Sequence, residues 1–459
     1  MLWRIDVIRG LVFAGFASMA FLRLVETIAC DRIECREKLS GVIAMAWAGR
    51  AGYSPAFPEE GGMKVRALWR LAMEPDPRCV ARFGWNFGWK GMQAVRHFER
   101  RLRQGRYFPA FLFVSLTNAC NLECQGCWVT PSSPAREMDS GTLDNVIRES
   151  RRYGGSFFGL LGGEPLLYRG LFDVIGRHPE CYFLLFTNGT LLSGEMARRM
   201  RALGNVSPLV SIEGMEKVSD LRRGGAGVFP RALEGLEHCR RNRLVTGVAT
   251  SVCRSNFAEL VSEAFLDFLV GRGVHYIWYY IYRPVGPRPT PELALSAEEV
   301  RKLRRFIVEM RCRKPILIID AYWDHEGRAL CPAATGIGHH ISPDGFVEPC
   351  PPLQLSKDPI GDGKGMGPRI ENSEFLRDFR AVAASATRGC VILDRPDLVV
   401  QLAERHGAVD SSGRGTVIRE MQSLCPCASH QHEGPPIPEK SLAYRLAKKY
   451  WFFGFGAYG

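Results

Sequence analysis

The sequence predicts an α/β fold in which short parallel strands alternate with helices, as an open sheet or an incomplete barrel. Three observations point there. Apolar runs of strand length recur at 111–116, 157–161, 182–186, 209–212, 245–252 and 275–281. Helical, charge-rich segments separate them at 140–153, 193–203, 230–242 and 256–271. Each run ends in a loop rich in Gly, Asn, Ser or Cys. Strands spaced by helix-length segments are repeated βα units, which build parallel sheets with their chemistry at the strands' C-terminal ends.

Taken in chain order, residues 1–106 form a basic, partly apolar helical extension, with 18 basic side chains against 10 acidic ones. Within it an uncharged stretch from Gly10 to Leu22 follows Arg4 and Arg9. Three readings stay open for that stretch: a buried helix, an interfacial helix on a membrane surface, and a signal peptide. The cluster Arg96, Arg100, Arg101, Arg103 and Arg106 reads as a solvated helix face, without the aromatic interleaving or motif that nucleic-acid binding would add. Residues 107–325 carry the βα units and close with a helix at 296–312 and a strand at 315–320. Residues 326–430 are richer in Gly, Pro and Cys. A hairpin is expected there at Pro343-Asp344-Gly345, with helices at 371–387 and 396–406, then Cys425-Pro-Cys427. Residues 431–459 look like a tail whose final WFFGFGAYG could cap a core or touch a partner.

Composition narrows the classes. Of 459 residues, 46% are hydrophobic and 24% charged, which is globular and excludes a disordered or collagen-like chain. No window reaches 18 consecutive apolar residues, so no obvious membrane span is present. Fifteen cysteines is an odd number in a chain too large to be disulfide-stapled. Their tight spacing at 120/124/127 and 425/427 suggests metal or iron–sulfur ligation in a reducing compartment, hence a cytoplasmic protein that could sit peripherally at a membrane.

The strongest chemical signal is Cys120-Asn-Leu-Glu-Cys124-Gln-Gly-Cys127, directly after the first strand. Three thiolates within eight residues can wrap one small cluster, and a cubane held by three cysteines leaves one iron open to an exogenous molecule. A zinc site would need a fourth partner and usually shows paired CxxC units.

Further motifs follow in order: Gly162-Gly163-Glu164-Pro165 after the second strand, Thr187-Asn188-Gly189 after the third, and Ser211-Ile-Glu-Gly214 at the fourth. Together with CxxxCxxC they resemble the radical S-adenosylmethionine (SAM) superfamily over about residues 108–430. Asp220-x-x-Arg223-Gly224 and the later cysteines resemble its members with a SPASM or twitch auxiliary-cluster region. The resemblance implies a partial (β/α)6 TIM-like barrel with a helical N-terminal extension and a small cysteine-rich C-terminal domain. It implies a [4Fe-4S] cluster on Cys120, Cys124 and Cys127, with SAM's amino and carboxylate groups on the unique iron. Gly162, Gly163 and Glu164 would run along the methionyl amino group, Ser211 would meet ribose or carboxylate oxygens, and Arg223 the carboxylate. Reductive cleavage of SAM would then give a 5′-deoxyadenosyl radical that abstracts hydrogen from substrate. One departure stands out: many members place an aromatic residue just before the third cysteine, where this chain has Gly126, and Trp128 is a candidate for the adenine-packing surface.

Cys331, thirteen residues to Gly345 and four more to Cys350 resemble the opening of a SPASM region. The full seven-cysteine pattern does not follow, which is nearer the shorter twitch arrangement. The expected ligands of an auxiliary [4Fe-4S] cluster are Cys331, Cys350, Cys425 and Cys427, with Cys390 in reserve. Cys30, Cys35, Cys79, Cys181, Cys239, Cys253 and Cys312 read as small buried hydrophobes. On the substrate side, the strand 275–281 puts Tyr276, Trp278, Tyr280 and Tyr282 on one face. Tyr282 and Arg283 at its end, and Asp324 and His325 in the acid–base cluster Asp320–Glu326, are catalytic candidates. His339-His340 receives no role. The family's implied partners are a low-potential donor such as a ferredoxin or flavodoxin, and a peptide, lipid or small-molecule substrate. Two rivals compete: a non-catalytic iron–sulfur electron carrier, which leaves GGEP, Ser211 and Arg223 unexplained, and a zinc-bound interaction module.

Overall fold

The computed structural model describes residues 62–450, apart from 133, 362–364 and 432. The apolar stretch at 10–22 and the final WFFGFGAYG, with the readings attached to them, lie outside the described residues. Seven parallel strands follow one another in chain order: β1 (Phe111–Ser115), β2 (Phe157–Leu161), β3 (Tyr182–Thr187), β4 (Val206–Ser211), β5 (Gly247–Val252), β6 (Tyr276–Ile281) and β7 (Leu317–Ile319). On the other flank of β1 lies β8 (Gly338–Ile341), also parallel to it, with Phe113 opposite His340. β9 (Phe346–Glu348) returns antiparallel to β8 through the expected hairpin, and Asp358–Pro359 adds a last antiparallel rung. The barrel is therefore partial. The auxiliary region enters the same sheet through β8 and does not stand apart from it.

The strands form where expected because β1 and β3 are almost wholly apolar and nearly every strand residue is buried, both faces being covered as parallel strands require. Helix starts follow their caps. Asp139 accepts from the Thr142 amide, Ser193 from that of Met196, and Ser296 forms a reciprocal capping box with Glu299. The helix expected over 256–271 is two, Phe257–Leu260 and Glu263–Gly271, because the Ser262 hydroxyl caps a fresh start by accepting from Phe265 N. The helices Leu171–Arg177 and Glu216–Arg223 were not anticipated from the sequence.

The described part of the N-terminal extension packs beneath the sheet. Phe83 meets Tyr182 edge-on at 5.4 Å and Phe87 meets Phe157 at 5.0 Å, both at the N-terminal ends of their strands. The basic cluster does form a solvated face, except that Arg101 turns inward to donate to the carbonyls of Tyr153 and Phe108. Among the described residues no helix is long and apolar enough to cross a membrane.

The expected tail is corrected over its described part. Glu439 and Lys448, the latter on the helix Leu442–Tyr450, are buried against the end of β7. Arg304 Nη1 lies 2.7 Å from Glu439, Arg311 Nη2 2.6 Å from Asp320 and Lys448 Nζ 2.9 Å from Asp320; Arg311 also pairs with Glu439. Three cations thus share two carboxylates without water. Removing one carboxylate leaves buried charge uncompensated, at a cost of about 3–5 kcal/mol. Glu439→Gln is expected to lower unfolding free energy by about that amount in chemical denaturation, and a loss below about 1 kcal/mol would mean the segment carries no stability.

Candidate functional site

The loop after β1 carries Cys120, Cys124 and Cys127, and three neighbouring strand ends grip it. From the β2 loop, Gly163 N donates to Thr117 O and Glu164 N to Ala119 O, each at 2.8 Å. A Cβ on Gly163 would sit 2.1 Å from Ala119 O and one on Gly162 2.4 Å from Thr117 O, so only glycine lets the two backbones touch. From the β3 loop, Asn188 Nδ2 donates to Asn121 Oδ1 at 2.8 Å, and Asn121 Nδ2 in turn to Thr190 Oγ1 at 2.9 Å. From the helix after β4, Arg222 Nη1 donates to Gln125 O, and Gln125 N returns a bond to Arg222 O.

Within this frame the three thiols lie within electrostatic reach of one another, and Arg223 Nη1 reaches Cys124 Sγ at 3.5 Å. Burial pushes the Cys127 thiol up to about 11 and raises that of Cys120. Burial opposes the charge on Arg223, but the Cys124 sulfur and the Glu213 carboxylate, 3.2 Å away, outweigh it and hold the guanidinium firmly protonated. Arg223 Nε is buried without a partner. Among the described residues no group of three or more His, Cys, Asp or Glu side chains is placed closely enough to hold a single metal ion.

Glu164 and Glu213 divide their work differently from what the motifs suggested. The Glu164 carboxylate is fully enclosed and accepts from Leu166 N, Thr187 Oγ1 and Asn188 N at 3.0, 2.8 and 2.7 Å. It ties the β2 loop to the β3 loop, so only its main chain is left to meet a ligand; burial raises its pKa against those bonds. Glu213, which sequence reasoning passed over within Ser211-Ile-Glu-Gly214, accepts from Ser251 N and Asn256 Nδ2 as well as pairing Arg223. Ser211 is half-buried and, like Glu213, lines the central cavity.

That cavity holds about 320 Å³. Its walls include Phe113, Trp128, Phe186, Trp278, Tyr280 and Tyr322. The period-two prediction for β6 holds, since Trp278, Tyr280 and Tyr282 all reach it. Gly126 (φ +66°) lies under the ring of Tyr282, whose Oη would be 2.2 Å from a Cβ there. The space that a side chain before the third cysteine would take is filled by Tyr282, while Trp128 stands edge-on to His340 at 5.7 Å. Of the four catalytic candidates, Tyr282 and Arg283 line the cavity and Asp324 and His325 do not. This corrects the acid–base cluster: Asp324 accepts from Glu326 N, Arg328 N and Arg328 Nε to close a turn, and Asp320 belongs to the buried ion network.

Cys331, Cys350 and Cys390 line the opposite wall. Cys390 lies at their centre, within electrostatic reach of Cys331, Cys350 and Cys427. Arg283 Nε donates to its sulfur at 3.2 Å. Cys427 is brought in by its amide, which bonds Leu393 O at 3.0 Å. Cys425 is exposed, whereas Cys390 is buried among Cys331, Cys350 and Cys427. Burial opposes the charge on Arg283 while Tyr322, Cys390 and Cys350 support it.

His339 and His340 also acquire places. Burial drives His339 down to about 3 beside Tyr107. His340 Nε2 meets Ser115 Oγ at 2.7 Å, its Nδ1 meets Glu348 Oε2 at 2.5 Å, and Ser411 Oγ donates to Glu348 Oε1 at 2.5 Å. This buried chain locks β8 and β9 to the end of β1 and so fixes the auxiliary region relative to the cysteine loop.

The residues fit the groups the motifs imply. Three sulfurs within electrostatic reach of one another beside a buried guanidinium suit an anionic cluster with one open corner, and the orphaned Arg223 Nε suits a carboxylate at that corner. Residues 114–259 match the sequence profile of the Radical SAM superfamily. The chain is 28% identical over 239 residues to an AdoMet-dependent heme synthase of Methanosarcina barkeri, covering 51% of this chain and 68% of that one. It is 28% identical over 269 residues to the sporulation killing factor maturation protein SkfB of Bacillus subtilis, covering 56% of this chain and 62% of that one, just under two thirds. Among solved structures, Streptococcus suis SuiB bound to the precursor peptide SuiA superposes with a TM-score of 0.52 at 12% identity, over 76% of this chain and 80% of that one, a likeness of fold.

Proposed function

The chain belongs to the radical SAM superfamily, and from that premise we propose that it cleaves SAM reductively at Cys120, Cys124 and Cys127 and abstracts hydrogen from a substrate held in the aromatic cavity. The single observation that carries this is the convergence of the three thiols, Arg223 and Glu213 beside that cavity. When bound, the reduced cluster and SAM supply a 5′-deoxyadenosyl radical. Arg223 would hold the SAM carboxylate through the nitrogen it leaves free, with Glu213 keeping the guanidinium oriented. Ser211 offers a hydroxyl to ribose oxygens, and the close-set main chain of Gly162 and Gly163 offers the edge along which the amino group would lie. The apolar walls exclude water, which protects a reactive species from side reactions.

The second part concerns the auxiliary site. Cys331, Cys350, Cys390 and Cys427 would hold a further [4Fe-4S] cluster with all four corners filled, suited to accepting an electron from substrate and not to binding SAM. A peptide is the favoured substrate, because SkfB is named for maturation of the sporulation killing factor and SuiB is bound to the precursor peptide SuiA. A ferredoxin or flavodoxin would supply the electron. The test is anaerobic reconstitution with iron, sulfide and SAM, followed by dithionite and quantification of 5′-deoxyadenosine. Reductant-dependent product is expected. A protein with an intact cluster spectrum and no product would overturn the reading.

A further inference from the structure

We propose that Arg283 is the anchor for a carboxylate of the substrate, so that the cavity selects an otherwise apolar molecule or side chain carrying one anionic group. This rests on the reading that the cavity receives substrate. Arg283 sits one residue beyond Tyr282 at the end of β6, is half-buried, and lines the cavity wall. Among the described residues its hydrogen bonding is confined to Nε, which donates to Cys390, and its guanidinium lies 5.4 Å from the Tyr322 ring centroid. The two terminal nitrogens, the fork that grips a carboxylate with paired bonds, have no protein acceptor there.

Among the described residues the cavity walls hold no carboxylate free to answer this charge. Glu213 lines it but already serves Arg223, Ser251 N and Asn256. Asp320 and Asp324, which flank the cavity-lining Ala321 and Tyr322, are spent on the buried cations and on the Arg328 turn. The other titratable groups facing Arg283 are Tyr280, Tyr322, Cys331, Cys350 and Cys390, none of them a carboxylate, and His430, which is buried and bonded to Leu330 O. Charge on the Cys390 sulfur would meet Nε alone, and leaving the two terminal nitrogens without an acceptor away from bulk water still carries a desolvation cost. Cys390 takes the Nε edge of the guanidinium, and Arg283 lines the cavity in which substrate is proposed to sit.

The test uses the reconstituted, SAM-loaded enzyme in anaerobic equilibrium dialysis with two probes of one shape, 2-naphthoate and the neutral 2-naphthalenemethanol. Wild type is expected to retain naphthoate about tenfold more tightly. Arg283→Gln is expected to erase that preference while binding of the neutral probe persists, and Arg283→Met, which keeps the apolar stem, decides the point if the Gln variant does not fold. Equal retention of both probes by wild type, or a preference that survives these substitutions, overturns the proposal. If wild type prefers naphthoate yet makes no 5′-deoxyadenosine, the SAM reading fails and the anion site stands.

Discussion

Gly126→Phe is expected to lower 5′-deoxyadenosine formation by roughly 100-fold, the scale on which a displacement of about 1 Å in a reacting group acts. The backbone at Gly126 is left-handed, at φ +66°, and its missing side chain is the seat of the Tyr282 ring. That ring cannot simply step aside. Arg222 lies 5.1 Å from its centroid and its hydroxyl accepts from Thr290 N at 3.2 Å. A side chain at 126 must therefore push the cysteine loop, moving Cys127, its immediate neighbour. Tyr282→Gly in the same chain removes the steric part of the conflict and is expected to restore roughly tenfold of the loss, the remainder being the cost of about 1–2 kcal/mol for a non-glycine residue in that conformation. Product formation and iron content of the single and double variants measure this. A double variant no better than Gly126→Phe alone would show that Tyr282 is not what requires the glycine.

The same pair marks the limit of what the sequence conveys. Strands were legible because a parallel strand covered on both faces must be apolar throughout, as 182–186 is. The cysteine triplet, the glycine pair and Arg223 were legible because their partners lie at fixed places on successive loops. Tyr282 as the occupant of the space above Gly126 was not, since 156 positions separate them and only the end of β6 brings them together. Glu439 and Lys448 read as ordinary surface charges, because the cations and carboxylate that bury them, Arg304, Arg311 and Asp320, sit in a helix and a strand end more than a hundred residues earlier. Asp324 and His325 drew notice as acid–base groups after a strand, yet a short turn that needs its own hydrogen-bond acceptors presents the same letters.

Cys390→Ser is expected to remove the auxiliary cluster, lowering iron by about four atoms per chain, whereas Cys425→Ser leaves iron unchanged. The spacing Cys425-Pro-Cys427 attracts attention as a pair, but a pair in sequence is not a pair in space. Cys427 is drawn toward the cavity wall by its amide bond to Leu393, and the intervening proline carries no amide to bring Cys425 with it. Cys390 opens the short helix Val391–Asp394, whose first turn takes bonds from Leu393 N and Asp394 N to Cys390 O, so its sulfur is held by backbone. Serine keeps an acceptor for Arg283 Nε and nearly the same volume, so a loss of iron in that variant reports ligation and not misfolding. Iron and sulfide analysis, with the spectrum of the reduced protein, distinguishes the two cysteines. Retention of the full complement by Cys390→Ser with loss in Cys425→Ser would mean that the exposed thiol swings in to complete the site. The turn around residue 390 would then serve only to present Arg283 with a hydrogen-bond partner.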